Sequence, residues 1–119
     1  TREEVLTACR ICDLMPYIQD QPQGLLTELA ADDKGLSQNM TKRLTLARTL
    51  VTHADLVIID DALPTLDNDK IHALWEHITN GPKKRTIIMV TDNTSLMQLA
   101  DSVYELKNNR LELVKGDAA

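Results

Sequence analysis

The sequence of 119 residues has no phenylalanine, one tryptophan and two tyrosines. With so few rings, the core has to be built from aliphatic side chains. Positive charge is not in excess either. Thirteen Lys and Arg stand against eighteen Asp and Glu, a net charge of −5. That balance argues against nucleic acid or an anionic membrane surface as the main partner. It leaves room for a single nucleotide, which needs only a local cradle. No apolar run approaches the length of a membrane span, and no signal peptide stands at the start. Thr1 already lies inside a helix signal, so the expectation is a piece cut from a longer protein. There is no internal repeat and no low-complexity segment. The remaining composition, 43% hydrophobic and 26% charged, is that of an ordinary globular domain.

Cysteine is scarce as well. Cys9 and Cys12 form a C-x-x-C pair, a spacing used by redox motifs and by half of a zinc site. No second ligand pair follows, and no strand precedes the motif as a thioredoxin-like context requires. The pair reads as two small apolar residues on one helix face, in the reduced state that suits a cytosolic compartment.

The stretch around which the chain is organised is Leu56-Val57-Ile58-Ile59-Asp60-Asp61. A short apolar run without alternation predicts a strand buried on both faces. Strands of open α/β sheets carry their chemistry at their carboxyl ends, where Asp60 and Asp61 fall. Two adjacent acids there are costly unless a cation or a reaction uses them. A turn in which Asp only caps backbone groups is the plainer alternative.

Around this strand, local signals set the order of elements. Thr1 and Glu4 fit a capping box. Val5, Ala8, Cys9 and Cys12 share a helix face, and Asp13 is expected to cap a second short helix through Pro16 to Ile18. Ala30 to Gly35 is a polar loop. Ser37 is a good helix cap, followed by Met40, Leu44, Ala47 and Val51 at helical spacing. Asp67 caps a helix whose buried stripe is Ile71, Leu74, Trp75 and Ile78, stopped by Gly81-Pro82. Lys83-Lys84-Arg85 leads into a second apolar strand, Thr86 to Val90. A polar turn, Thr91 to Ser95, and a short helix from Leu96 to Ala100 come next. Ser102 to Leu106 and Arg110 to Val114 read as a hairpin across Asn108-Asn109. Lys115 to Ala119 is expected to fray. The strand-helix-strand unit implies a parallel crossover. Two buried-type strands have too few neighbours, so either the sheet continues elsewhere or two copies associate.

Taken together, these pieces resemble the C-terminal half of the nucleotide-binding domain of ATP-binding cassette (ABC) transporters, exporter type. Gly35-Leu36-Ser37-Gln38-Asn39-Met40 stands where the signature Leu-Ser-Gly-Gly-Gln would be, and Arg43 to Leu50 looks like the helix that follows. Leu56 to Asp61 is similar to the Walker B strand, Leu66-Asp67 to the end of the D-loop, and Thr86 to Thr91 to the strand before the switch histidine. The resemblance implies an α/β fold: a partial P-loop NTPase core with parallel strands, a C-terminal hairpin and part of the helical subdomain. Residues 1–52 would be the helical part with the signature helix, and residues 53–119 the C-terminal part of the core.

By the same resemblance, Asp60 would hold Mg²⁺ and Asp61 would take the place of the catalytic Glu. Asp92 stands at the switch His position, and Ser37, Gln38, Asn39 and Met40 would meet nucleotide. The ligands implied are ATP and Mg²⁺ in the intact protein. The partners implied are a second nucleotide-binding domain, as homodimer or heterodimer, and a transmembrane domain at the cytoplasmic face of the membrane; no nucleic acid is implied. The phosphate-cradling glycine loop and the Gln loop belong to the half upstream of Thr1. Both signature glycines are replaced, by Gln38 and Asn39, and its Gln by Met40. These departures imply weak or absent hydrolysis. Two other functions are open: a regulatory or structural nucleotide-binding module that dimerises without turnover, and a receiver-like phosphoacceptor using Asp60 and Asp61. A receiver carries its acid pair after its first strand, whereas here a long helical stretch comes first.

Overall fold

The computed structural model describes residues 1–29, 35–60, 65–81 and 84–117. The order of elements is α1 (Arg2–Ile11), α2 (Met15–Asp20), a 3₁₀ turn (Gly24–Leu26), α3 (Gln38–Leu50), β1 (Leu56–Asp60), α4 (Asn68–Thr79), β2 (Thr86–Val90), α5 (Thr94–Leu99), β3 (Val103–Lys107) and β4 (Arg110–Lys115). The fold is mixed α/β. β1 and β2 pair in parallel, Leu56 with Thr86 through Asp60 with Val90. β3 and β4 form a separate antiparallel hairpin.

Helix starts follow the local chemistry of their caps. Thr1 and Glu4 make a reciprocal capping box at α1. The Ser37 hydroxyl accepts the Met40 N–H at 3.1 Å, and the Asp67 carboxylate accepts the Lys70 N–H at 2.9 Å. Each side chain satisfies a backbone donor that the first helical turn leaves open. Asp13 departs from expectation. It sits in the left-handed region, at φ 56°, and α2 starts after Leu14 without a side-chain cap. The Asp13 carboxylate accepts instead from Arg43 Nη1 at 2.7 Å, and a charged partner outcompetes a capping bond. The hairpin turn holds as expected. Asn108 and Asn109 have φ of 50° and 60°, the doubly left-handed turn that suits the twist of paired strands.

The core is aliphatic. Ala8, Cys9, Ile11, Cys12 and Leu14 pack with Leu46, Ala47 and Leu50 of α3, Val57 and Ile59 of β1, and Leu74 and Ile78 of α4. Ile71 is also buried, while Trp75 is only half-buried.

The expectation that β1 is buried on both faces is overturned. Val57 and Ile59 are buried, but Leu56, Ile58 and Asp60 are exposed. β2 likewise turns Ile88 and Val90 outward. A strand buries both faces only between two layers, and among the described residues just one layer of helices covers this sheet. The hairpin has an uncovered apolar face too, built from Tyr104, Leu106, Leu111 and Leu113. Ala30 to Lys34, Asp61 to Pro64, Pro82, Lys83, Ala118 and Ala119 lie outside the described residues, and with them most of the polar loop, the first residues of the basic run and part of the tail.

Candidate functional site

Asp60 is the last residue of β1, exposed, beside Val90 at the end of β2. Parallel register puts both strand ends at one edge of the sheet. Asp92 follows two residues after Val90, also exposed, in the turn before α5. The cap of α5 is Asn93, whose Oδ1 accepts the Leu96 N–H at 3.2 Å. Asp92 is therefore a turn residue and the capping role belongs to its neighbour. Asp61 lies outside the described residues.

The start of α3 meets the chain leaving β1. Asn39 Oδ1 accepts the Thr65 N–H at 2.8 Å, and Arg43 Nη2 donates to the Thr65 carbonyl at 3.2 Å. This brings Ser37, Gln38, Asn39 and Met40 near Leu66 and Asp67, although the two groups are far apart in sequence. Ser37 and Gln38 are exposed, and Asn39 and Met40 half-buried. The Ser37 hydroxyl is engaged as a cap, and its other lone pair and proton remain for a ligand. The Asn39–Thr65 link gives no sequence signal of its own. The available hint is an amide side chain where the signature pattern has glycine.

Asp60 offers one exposed carboxylate of the kind that could hold a magnesium ion. Such an ion takes one or two carboxylates and fills its remaining positions with water and phosphate oxygens. Among the described residues, no group of three or more His, Cys, Asp or Glu is placed to hold a metal unaided.

The histidines lie elsewhere. His53 precedes β1, its Nε2 3.7 Å from Glu4 Oε1. Asp60 lies at the far end of that strand, roughly 13 Å beyond its first residue at the usual rise. His53 lines an open cleft of about 570 Å³ with Glu4, Leu50, Glu76, His77 and Arg85, and His72 lies exposed on α4. Cys9 and Cys12 are buried and free, and burial pushes the Cys12 thiol up to about 12. A thiol held neutral in this way is a poor nucleophile and a poor ligand.

The chain matches no model of a known protein family. It is 32% identical over 111 residues to the ATP-dependent lipid A-core flippase of Chromobacterium violaceum, a match covering 93% of this chain and 19% of that protein. It is 29% identical over 103 residues to the flippase of the same name from Vibrio cholerae, covering 87% of this chain and 18% of that one. Among solved structures, a bacterial Atm1-family ABC exporter with ATP bound superposes with a TM-score of 0.75 at 27% identity. That match covers 97% of this chain and 20% of the exporter. Its homologues are ABC exporters. The chain spans about a fifth of the length of the curated relatives it matches, and what it matches is a fragment of a transporter. Among the described residues, no helix is long and apolar enough to cross a membrane.

Proposed function

We propose that the chain is the C-terminal half of an ABC transporter nucleotide-binding domain, a partial P-loop NTPase core that couples ATP binding and hydrolysis to substrate export. The observation that carries this reading is the meeting of two distant segments. The capped start of α3 is held against the chain leaving the acid-ended strand β1 through Asn39 and Thr65. The similarity to an ATP-dependent flippase and to an ABC exporter supports it.

In this reading Asp60 would be the carboxylate that holds Mg²⁺, whose chemistry when bound would be to offset charge on the phosphate oxygens. Asp61 orients or deprotonates the attacking water. Its side chain is one methylene shorter than Glu, a retraction of about 1 Å that can cost on the order of 10²-fold in rate. Asp92 stands where a donor to the γ-phosphate is needed. A carboxylate donates only when protonated, and otherwise repels the phosphate. Ser37 to Met40 is the segment presented to nucleotide across a dimer of two such domains, and Leu66 and Asp67 belong to the loop at that interface. The exposed apolar face of β1 and β2 receives the upstream half of the domain. The assembly sits under a transmembrane domain at the cytoplasmic face of a membrane.

The replacements at Gln38, Asn39, Met40, Asp61 and Asp92 favour a second reading, a nucleotide-dependent dimerisation module with little or no turnover. Steady-state phosphate release by the full-length protein separates the two. Slow release that rises in the double variant Asp61→Glu, Asp92→His supports a degenerate exporter ATPase. No release in either protein, with nucleotide-dependent dimerisation intact, supports the module. Wild-type release as fast as that of an exporter with Glu and His at these positions refutes the degenerate site.

A further inference from the structure

Thr65 is held at both its N–H and its carbonyl by one helix. Its N–H donates to Asn39 Oδ1 at 2.8 Å, and its carbonyl accepts from Arg43 Nη2 at 3.2 Å. Arg43 is itself anchored. Its Nη1 donates to the Asp13 carboxylate at 2.7 Å and to the Asp13 carbonyl at 2.9 Å. Its side chain is only 16% exposed. Beyond Thr65 the chain runs through Leu66 into Asp67, which caps α4. Thr65 is thus a fixed post between the acid-ended strand and α4.

We propose that Asn39 and Arg43 are positioning residues, a two-point clamp that sets where Thr65, at the entry to the α4 cap, lies relative to the start of α3. The inference deepens the nucleotide-site reading and rests on it. Within the signature segment it assigns Asn39 to its own chain and not to the nucleotide. A backbone N–H offers one donor, and a carboxamide oxygen is the matching acceptor. Glycine, the residue of the signature pattern here, has no side chain with which to make this bond. The clamp fixes Thr65 where the chain enters Leu66 and the α4 cap Asp67. Losing it frees Thr65, and placement errors near 1 Å are enough to slow chemistry on the order of 10²-fold without weakening binding.

The test uses the full-length protein with Asn39→Ala, Asn39→Gly and Asn39→Asp, the last of which keeps an acceptor oxygen at the same reach. Hydrogen exchange at the Thr65 amide is read by mass spectrometry, alongside Mg-ATP affinity and phosphate release. Exchange at Thr65 speeds up roughly fivefold in Asn39→Ala and Asn39→Gly and stays slow in Asn39→Asp. Turnover falls about tenfold in the first two while the ATP dissociation constant stays within about twofold. Unchanged exchange in Asn39→Ala, or equal exchange in the Ala and Asp variants, overturns the clamp. Weakened ATP affinity with unchanged turnover overturns the positioning role and assigns Asn39 to nucleotide. A wild-type protein that binds no ATP refutes the nucleotide-site reading, and the exchange comparison still decides the clamp.

Discussion

Asp60 and Val90 are register partners at the carboxyl ends of two parallel strands, and both are exposed on one face. That face continues through Ile58 and Ile88, which are 62% and 51% exposed. A carboxylate therefore borders an uncovered apolar surface. Any layer that covers the surface also takes water from Asp60, which then needs a cation or a donor. The arrangement suits a sheet completed by more protein with an ion at its acidic edge.

Ile58 and Ile88 give the first test. Ile58→Ser or Ile88→Ser in the 119-residue chain should change stability by less than about 0.5 kcal/mol, since both side chains already face solvent. In the full-length protein each should cost about 2 kcal/mol or more, because the proposed reading seats the upstream half of the domain on these side chains. Denaturant midpoints of both proteins decide it. Equally small losses in the two would show that this face stays open.

Asp13 gives the second. Its backbone is left-handed and its carboxylate binds Arg43. Asp13→Gly suits the backbone and removes the carboxylate, leaving the largely buried guanidinium with one partner fewer. The expected loss is about 1–3 kcal/mol. Asp13→Ala adds roughly 1 kcal/mol of left-handed strain. Urea denaturation of both variants checks the order, Gly above Ala and both below wild type.

Those two elements also mark what was legible in the sequence. The caps at Thr1, Ser37 and Asp67 and the Asn108-Asn109 turn were readable because their chemistry lies within a few residues. Asp13 looked like a cap by the same local rule. Its true partner lies thirty residues away on α3, where no local rule reaches. The apolar run of β1 and β2 correctly announced strands. It described what the side chains prefer, not which layers are there to cover them. At the site, the resemblance implied roles for Ser37 to Met40 and for Asp60 without relating the two segments within one chain. Only the fold shows how they are joined, through a backbone contact between Asn39 and Thr65.

Cys12 yields a pH prediction. Burial raises its thiol from 9.0 to about 12, and Cys9 is raised as well. Between those values the unfolded chain loses the Cys12 proton and the folded chain keeps it. Stability is therefore full below about pH 9 and falls as pH rises toward 12. Cys12→Ala should flatten that alkaline fall at a small cost in packing. Thermal melts from pH 7 to about 10.5 measure it. A variant that loses stability with pH as steeply as wild type would show that other groups carry the effect.

The most direct measurement of the central claim is a calorimetric titration with ATP, with and without Mg²⁺. It compares the full-length protein, its Asp60→Asn variant and the 119-residue chain alone. The account predicts Mg²⁺-dependent binding by the full-length protein and loss of that dependence in Asp60→Asn. It predicts no micromolar binding by the chain alone, which lacks the phosphate-cradling loop. Micromolar binding at one site on the isolated chain, or a magnesium dependence untouched by Asp60→Asn, would contradict it.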